Sequence, residues 1–236
     1  AQTSDIRHPQ SDTTTPRVLV ILPAYNEQDT IASVVTQLHR ALPGADVLVV
    51  DDGSKDQTAR LVPPPARVVR LPMNLGIGGA MQTGYRFAKA NGYDLAVQCD
   101  ADGQHPPEQI QSLIDHAVGS GADLVVGSRF IEPGMYRQQP ARMAAINWLN
   151  RLIGLLGGQR VTDCTSGFRV ANRRVIDAFA TWYPDDYPEP EAMLRLLRSG
   201  FVVSETPVAM KQRQGGVSSI PFRRGLFYVV KVTAAL

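Results

Sequence analysis

The sequence predicts an α/β domain with a mainly parallel central sheet and helices on both of its faces. Over the first 130 residues or so, short β-branched runs alternate with segments of helical periodicity. Polar segments, several of them containing glycine, follow successive apolar runs. Such alternation is typical of a helix-covered sheet, whose ligands gather at the carboxyl ends of the strands.

Five strands and four helices are expected in this region. The strands are predicted at RVLVILPA (17–24), DVLVVDD (46–52), RVVRL (67–71), DLAVQCD (94–100) and ADLVVGS (122–128), and the helices near 29–41, 56–62, 77–91 and 107–119. Pro106 and Pro107 are placed to open the last of these helices, and Glu108 lies in its first turn, where the helix dipole favours an acid. After residue 130 the alternation gives way to helix-rich sequence and glycine-rich loops, without a linker that would separate a second domain.

Composition excludes several classes of protein. The chain has 236 residues, of which 44% are hydrophobic and 19% charged, and this is typical of one ordinary globular domain. A net charge of +2 is too small to indicate a nucleic-acid partner. The two cysteines, Cys99 and Cys164, form no CxxC pair and have no histidine at metal-ligand spacing, so neither a disulfide framework nor a zinc site is expected. A reducing, cytoplasmic setting fits this pattern.

Three segments are predicted along the chain: a disordered polar leader at 1–16, a folded domain at 17–220, and a C-terminal amphipathic helix at 221–236. No apolar run is long enough to cross a membrane. In the last segment Arg224, Tyr228 and Lys231 share one helical face by their i, i+4, i+7 spacing. This pattern suits a helix on a membrane surface, and a helix packed on the core is the alternative.

The first two strands lead into PAYNE (23–27) and DDGSKDQT (51–58). Gly53 permits a tight turn, and Ser54 or Asp56 can cap the helix that follows. Asp51 and Asp52 are harder to explain structurally, because two acids at the end of an apolar strand repel each other and gain nothing from burial. A carboxylate there can accept a hydrogen bond from a base N–H or from ribose hydroxyls.

The third strand leads to NLGIGGAMQTG (74–84), whose glycines have two explanations. They can bring the backbone close to a nucleotide, or they can let a helix pack closely on the sheet. The spacing does not follow the first strand, so it is a weak dinucleotide-binding signal, and both explanations stay open.

The fourth strand ends in two acids, Asp100 and Asp102, separated by Ala101. Two carboxylates with the neutral Gln104 form the kind of incomplete oxygen shell that Mg²⁺ or Mn²⁺ prefers, with phosphate and water completing it. His105 is expected beside these ligands and not among them. The position of the acids strengthens the prediction, because polar motifs at successive strand ends converge on one edge of a parallel sheet.

Taken together, PAYNE, VDDGSKDQT, NLGIGGA, DADGQHPPE and GSRF resemble, in order and spacing, the family 2 inverting glycosyltransferases, which have a GT-A fold. TDCTSGFRVANRR and RQGGVSS are similar to the branch that contains dolichol-phosphate mannose synthases and bacterial polyprenyl-phosphate glycosyltransferases. The resemblance extends from Arg17 to about Ile220. It implies a metal-dependent enzyme that moves a sugar from a nucleotide-diphosphate sugar to a polyprenyl phosphate.

The resemblance also implies roles for individual residues. The nucleotide-sugar would be bound by Pro23, Tyr25, Glu27, Asp52, Asp100, Ala101, Asp102, Arg129 and Arg213. Asp100, Asp102 and Gln104 would hold the metal ion on the diphosphate, and Arg129 would reach the donor phosphates. Ser166, Arg169 and Arg213 would surround the acceptor phosphate, which suits the planar guanidinium fork.

Asp163 and Glu191 are candidates for a catalytic base or for a group that orients the acceptor or the sugar. An acceptor hydroxyl needs a base, whereas a phosphate, with a second pKa of roughly 6, is already largely ionised at neutral pH. Two alternative functions remain open. One is sugar transfer to a hydroxyl of a capsule or cell-wall glycan, and the other is nucleotide-sugar binding without turnover.

Related lipid-linked enzymes often carry membrane helices after the catalytic domain. Three explanations are open here: the amphipathic segment 221–236 suffices, the chain is a soluble truncation, or a separate membrane anchor protein serves that purpose. The expected location is cytoplasmic, peripheral on the inner face of the cell membrane.

Overall fold

A computed structural model describes residues 15–132, 140–185 and 188–210. Residues 1–14 of the predicted leader and the whole predicted helix 221–236 lie outside these ranges. The strands are β1 Val18–Ala24, β2 Asp46–Asp51, β3 Arg67–Arg70, β4 Leu95–Gln98, β5 Leu124–Ser128, β6 Arg169–Asn172 and β7 Val203–Pro207. The helices are α1 Ile31–Ala41, α2 Gly76–Ala90, α3 Ile110–Ser120, α4 Pro140–Gly157, α5 Arg173–Thr181 and α6 Pro188–Arg198, with 3₁₀ turns at Thr58–Leu61 and Pro107–Gln109.

Within the described ranges the strands form one sheet in the order β3-β2-β1-β4-β6-β5-β7. Every pairing is parallel except those of β6, which runs antiparallel to both β4 and β5. The predicted α/β class and mainly parallel sheet are therefore confirmed, in the form of a mixed sheet. The sequence did not predict β6 or β7. In β6, Arg169 and Asn172 flank only two apolar residues, which is too short a pattern to distinguish from a loop.

Two hydrophobic cores lie on the two faces of the sheet, because successive side chains of a strand point to opposite sides. Leu19 and Ile21 of β1 pack with residues of α2, α4, α5 and α6. Val18, Val20 and Leu22 of the same strand pack with α1 and α3. The prediction of helices on both faces is therefore confirmed. None of the helices in the described ranges has the length and apolar character needed to cross a membrane.

Close packing explains two of the glycines in α2. A Cβ atom on Gly84 would lie 2.4 Å from Cγ2 of Ile21 in β1, and one on Gly78 would lie 2.0 Å from the carbonyl oxygen of Pro184. Both approaches are far inside van der Waals contact, so a larger side chain would push α2 away from its neighbours. Of the two explanations for this glycine-rich segment, helix packing accounts for these positions.

Candidate active site

The turns that follow β1 and β2 are hydrogen-bonded to each other. The Asn26 amide donates to Oγ of Ser54 (2.9 Å), and the Glu27 amide donates to Oγ1 of Thr58 (2.8 Å). Asn26 adopts a left-handed conformation, with φ of 55°, and its Oδ1 accepts from the Lys55 amide. Ser54 therefore has a structural role in holding the two turns together. Beside them the ring of Tyr25, a predicted nucleoside contact, is 42% exposed and accessible to a ligand.

The two acids after β2 are buried, and both have partners. Oδ1 of Asp51 accepts from the Ser54 amide (3.0 Å), and its Oδ2 lies 3.1 Å from Nε of Arg70. The Asp52 carboxylate accepts from the backbone amides of Leu75 (2.7 Å) and Gly76 (2.9 Å) at the start of α2. Burial raises the pKa of Asp52 above its usual value, and these two hydrogen bonds oppose the rise. Asp52 thus anchors α2, and its contact with a nucleoside stays a prediction.

Asp100 and Asp102 lie in the turn directly after β4, on either side of the buried Ala101. The Asp100 side chain is 37% exposed. Asp102 is more deeply buried, and the Gln104 amide donates to its Oδ1 (3.0 Å), which orients the carboxylate. Gly167 lines this turn, because a Cβ atom there would lie 3.6 Å from Oδ1 of Asp100. The loop before β6 therefore runs close against the first of the two acids.

This donor set fits a hard divalent cation whose shell is completed by a ligand. Among the residues that the structure describes, no three His, Cys, Asp or Glu side chains form a metal-binding group. Two carboxylates on one turn leave most of an octahedral shell to phosphate oxygens and water, as magnesium sites commonly do. The half-buried Gln104 is near enough in sequence to add an amide oxygen, and its role as the third ligand stays a prediction.

His105 supports Asp100 from the inside of the turn. Its Nδ1 accepts from the Asp100 amide (2.9 Å), and its ring stacks on Phe168 at 4.7 Å between centroids. Burial lowers its pKa to about 4, so the imidazole is neutral near pH 7. Because Nδ1 is an acceptor, the proton lies on Nε2, which is 3.5 Å from Oδ2 of Asp100. His105 therefore contacts Asp100, and its place beside the metal ligands and not among them stays a prediction.

A buried polar cluster lies beneath the turn that contains Asp100 and Asp102, which is called the metal turn below because of its predicted ligands. The Tyr183 hydroxyl donates to Oε1 of Gln98 (3.2 Å), and Nε2 of Gln98 donates to Oε1 of Glu189 (3.3 Å). The antiparallel pairing of β6 with β4 places Arg169 opposite Gln98. Sequence reasoning missed Gln98 and Glu189. A glutamine inside the apolar strand LAVQ was the available signal for the first of them.

Arg169 is fully buried and bonds to backbone carbonyl oxygens. Its Nε donates to Ser166 (2.7 Å), and its Nη2 donates to Cys164 (3.0 Å) and Glu189 (3.1 Å). Among the described residues its Nη1 has no hydrogen-bond partner. Ser166 is also buried, and its Oγ accepts from the Phe168 amide. Both side chains are thus positioned by backbone contacts, and their predicted contact with an acceptor phosphate stays a prediction.

Glu189 makes the stability of the metal-free protein depend on pH. Burial raises its pKa above the ordinary value of 4.5, with nearby Arg169 opposing the rise. Between the unfolded and folded pKa values the folded state keeps a proton that the unfolded state has lost, so stability falls as pH rises through this window. In EDTA, we expect Glu189→Gln to weaken this fall, as measured by urea unfolding from pH 4.5 upward. Equal slopes for variant and wild type would contradict the prediction.

Arg129 and Asp163 form a buried bidentate ion pair. Nε of Arg129 donates to Oδ2 of Asp163 (2.7 Å), and Nη2 donates to Oδ1 (2.8 Å). The Asp163 side chain is 0% exposed and that of Arg129 is 10% exposed. Thr165 Oγ1 donates to Oδ1 of the same carboxylate (3.0 Å). Asp163 is therefore arranged to hold Arg129 in place, at the end of β5.

Two residues outside the predicted site hold the loop that contains Asp163. Glu205 of β7 accepts from the backbone amides of Thr162 and Asp163, both at 2.8 Å, and burial raises the pKa of its carboxyl. Asn150 of α4 accepts from the Cys164 amide (2.9 Å) and donates to the Thr162 carbonyl. The sequence offered no local signal for either contact, because the partners are 12 to 43 residues apart.

The remaining predicted residues are placed as follows. Pro23 is partly buried in β1, and Glu27 accepts from Oγ1 of Thr30 (3.0 Å). Glu191 is in the first turn of α6, two positions after Glu189, so the two side chains point about 200° apart around the helix. Glu191 therefore cannot face the same residues as Glu189, and its catalytic role stays a prediction. Arg213 and RQGGVSS lie outside the described residues.

Comparison with known proteins identifies the family. The model for "Glycosyl transferase family 2" matches residues 19–179. The polyprenol monophosphomannose synthase of Mycolicibacterium smegmatis is 33% identical, with 92% of this chain and 87% of that protein covered. The undecaprenyl-phosphate mannosyltransferase of Micrococcus luteus is 35% identical, with 86% of this chain and 87% of that protein covered.

Solved structures have the same fold. Glucosyl-3-phosphoglycerate synthase from Mycobacterium tuberculosis, in complex with Mn²⁺, UDP and phosphoglyceric acid, aligns with a TM-score of 0.70 at 20% identity, covering 93% of this chain and 77% of that one. Mannosyl-3-phosphoglycerate synthase from Rubrobacter xylanophilus aligns with a TM-score of 0.71 at 20% identity, covering 93% and 73%. The order of motifs, the fold and these matches agree: the chain belongs to glycosyl transferase family 2 and is a glycosyltransferase.

Proposed function

We propose that this protein transfers a sugar from a nucleotide-diphosphate sugar to a polyprenyl phosphate, with inversion and with the help of Mg²⁺ or Mn²⁺. The observation that carries this proposal is the similarity over most of the chain to two enzymes whose names specify polyprenol and undecaprenyl phosphate acceptors. The site geometry supports each part of the reaction separately.

The edge formed by β2, β1 and β4 suits the donor. The exposed Tyr25 ring offers a surface for a base, and Asp100 and Asp102 follow the neighbouring strand. Because β1 and β4 are neighbours in the sheet, a single ligand can contact Tyr25 and the turn of Asp100 and Asp102. A divalent ion held by Asp100, Asp102 and Gln104 would neutralise the charge that develops on the departing diphosphate. The solved structure of glucosyl-3-phosphoglycerate synthase with the same fold contains Mn²⁺ and UDP, which is consistent with a nucleotide donor.

Arg129 is positioned for the donor phosphates. Its bidentate pairing with Asp163 fixes the guanidinium at the end of β5, beside the loop that lines the metal turn. A preorganised cation stabilises developing negative charge without reorganising during the reaction. The inferred role of Asp163 is to orient Arg129.

The same ion pair favours a phosphate acceptor over a hydroxyl. A hydroxyl acceptor needs a base, and the carboxylate of Asp163 is buried and bonded to Arg129 and Thr165. An acceptor phosphate is already ionised near neutral pH and attacks without losing a proton. An enzyme that transfers a sugar to a membrane lipid has to bind the membrane surface, so a peripheral location is part of the proposal.

A product assay tests the proposal. The protein would be incubated with Mn²⁺ or Mg²⁺, one of a panel of UDP-, GDP- and dTDP-sugars, and a water-soluble short-chain polyprenyl phosphate. We expect a glycosyl phospholipid, detected by mass spectrometry, that disappears when EDTA is added. Transfer to a glycan hydroxyl with no lipid product would overturn the proposed acceptor. Product formation that persists in EDTA would overturn the metal requirement.

A further inference from the structure

Helix α4 has two opposite faces that are both largely apolar. Ile146, Leu149 and Ile153 point into the core. Trp148 and Leu155 are 54% and 81% exposed on the other side of the helix. At about 100° per residue these two groups of side chains are centred roughly 145° apart. The solvent side of an ordinary surface helix is polar, so the exposed Trp148 and Leu155 need an explanation.

The charged residues of the segment 140–160 all have one sign. Arg151 lies between Trp148 and Leu155 on the same side of the helix, by i+3 and i+7 spacing from Trp148. Arg142 and Arg160 are exposed near the two ends of α4. The segment 140–160 contains no aspartate or glutamate. Tryptophan, leucine and arginine on one helical face match an anionic lipid surface, where indole lies at the headgroup level and arginine pairs with phosphate.

The opposite face of α4 is joined to the loop predicted to lie near the acceptor. Asn150 bonds to the backbone of Thr162 and Cys164 through both ends of its amide. A membrane contact at Trp148 and Leu155 would therefore fix the orientation of the 162–166 loop relative to the bilayer. One helix would serve both purposes, with its core face holding the site and its outer face touching the lipid.

We propose that the exposed face of α4, formed by Trp148, Arg151 and Leu155, docks on an anionic phospholipid bilayer. This inference rests on the proposed lipid acceptor and adds the surface through which the enzyme reaches it. It is independent of the predicted amphipathic segment 221–236, because α4 itself must enter the interface. Vesicle binding tests this inference and sugar transfer tests the proposed function, so a negative result in one assay does not decide the other.

Fluorescence of Trp148 tests the contact directly. The chain has two tryptophans, and Trp182 is half-buried under the guanidinium of Arg195, so Trp182→Phe leaves Trp148 as the sole reporter. We expect the emission of the full chain to shift to the blue with vesicles of equal parts phosphatidylcholine and phosphatidylglycerol, and brominated lipids to quench it. Binding of the protein to these vesicles with unchanged Trp148 emission would overturn the proposal.

Vesicle sedimentation of variants gives the second readout. We expect Leu155→Glu to lower the partition coefficient about tenfold or more, and Arg151→Gln to lower it roughly fivefold on anionic vesicles only. Val118→Glu is the matched control, since Val118 is a 61% exposed apolar residue of α3, on the other face of the sheet. Equal binding by wild type, Leu155→Glu and Val118→Glu would refute the proposal.

Two further outcomes separate this inference from its alternatives. Leu155→Glu should keep wild-type transfer to a water-soluble short-chain polyprenyl phosphate, whose use does not require a bilayer. If Leu155→Glu lost this activity because it failed to fold, circular dichroism would show the loss of structure. The variant Leu155→Ser would then replace Leu155→Glu in the sedimentation assay. Self-association of wild type that Leu155→Glu abolishes, with no binding to anionic vesicles, would assign the face to a second copy and overturn the lipid proposal.

Discussion

Asp102→Asn should lower kcat/KM for sugar transfer on the order of a thousandfold, because the variant loses a charged oxygen ligand of the proposed metal site. Metal stabilisation of a leaving diphosphate contributes several kcal/mol, and each 1.36 kcal/mol corresponds to about a factor of ten in rate. Asparagine keeps the size of the side chain and an oxygen that can accept from the Gln104 amide, so folding should be preserved. Steady-state kinetics and Mn²⁺ binding by electron paramagnetic resonance measure the two effects.

The control for this prediction is Asp115→Asn. Asp115 is an exposed acid on α3 whose Oδ1 accepts a hydrogen bond from Nε2 of Gln111 (2.8 Å). It should keep wild-type kinetics and wild-type Mn²⁺ binding. If Asp102→Asn bound Mn²⁺ as tightly as Asp115→Asn and turned over at the same rate, the assignment of Asp102 as a ligand would be wrong.

Asp163→Asn should lower the free energy of unfolding by about 3–5 kcal/mol, because it leaves the largely buried guanidinium of Arg129 without its counter-charge. Arg129→Met should be similarly destabilising, since it leaves a fully buried carboxylate. The double variant Arg129→Met/Asp163→Leu removes both charges and should be more stable than either single variant. Urea unfolding with circular dichroism measures all three.

Activity separates the structural role of this pair from its chemical one. If Arg129 stabilises the departing diphosphate, the double variant should stay on the order of a hundredfold to a thousandfold less active even where it is folded. Arg174→Met is the matched control: Arg174 also pairs with an aspartate, Asp123, but its side chain is 63% exposed, so about 1 kcal/mol or less is expected. Wild-type activity in the double variant would show that the pair serves folding alone.

The predicted strand ends illustrate how much local sequence can establish. Asp100 and Asp102 follow an apolar run that the sequence predicts as a buried strand, and the prolines after them begin the 3₁₀ turn that leads into α3. Each of these signals depends on a few neighbouring residues, so the fold class and the position of the turn that contains Asp100 and Asp102 could be predicted, while the metal ion there stays a prediction. The same local reasoning could not find Glu189, because the motif PEPE offers two acids and only helix packing decides which one turns inward.

Burial produced the largest differences between expectation and structure. Asp51 and Asp52 were expected to gain nothing from burial, yet Asp51 accepts from the Ser54 amide three residues later, and Asp52 accepts from two amides at the start of α2. Arg169 was expected at the acceptor phosphate; it is buried and bonded to three carbonyl oxygens, and the phosphate contact stays a prediction. A sequence motif specifies the type of side chain, whereas its accessibility depends on the segments packed around it.

By itself, the sequence determined the α/β class, the main strands before residue 130, the edge at which the polar motifs meet and the family. Periodicity and turn residues act over a few positions, so these features are readable along the chain. Only the tertiary structure decided that β6 runs antiparallel, and with it that Arg169 lies beneath the metal turn and that Asp163 reaches Arg129 across 34 positions of sequence. The physical reason is that strand direction and long-range pairing depend on the burial of all segments together.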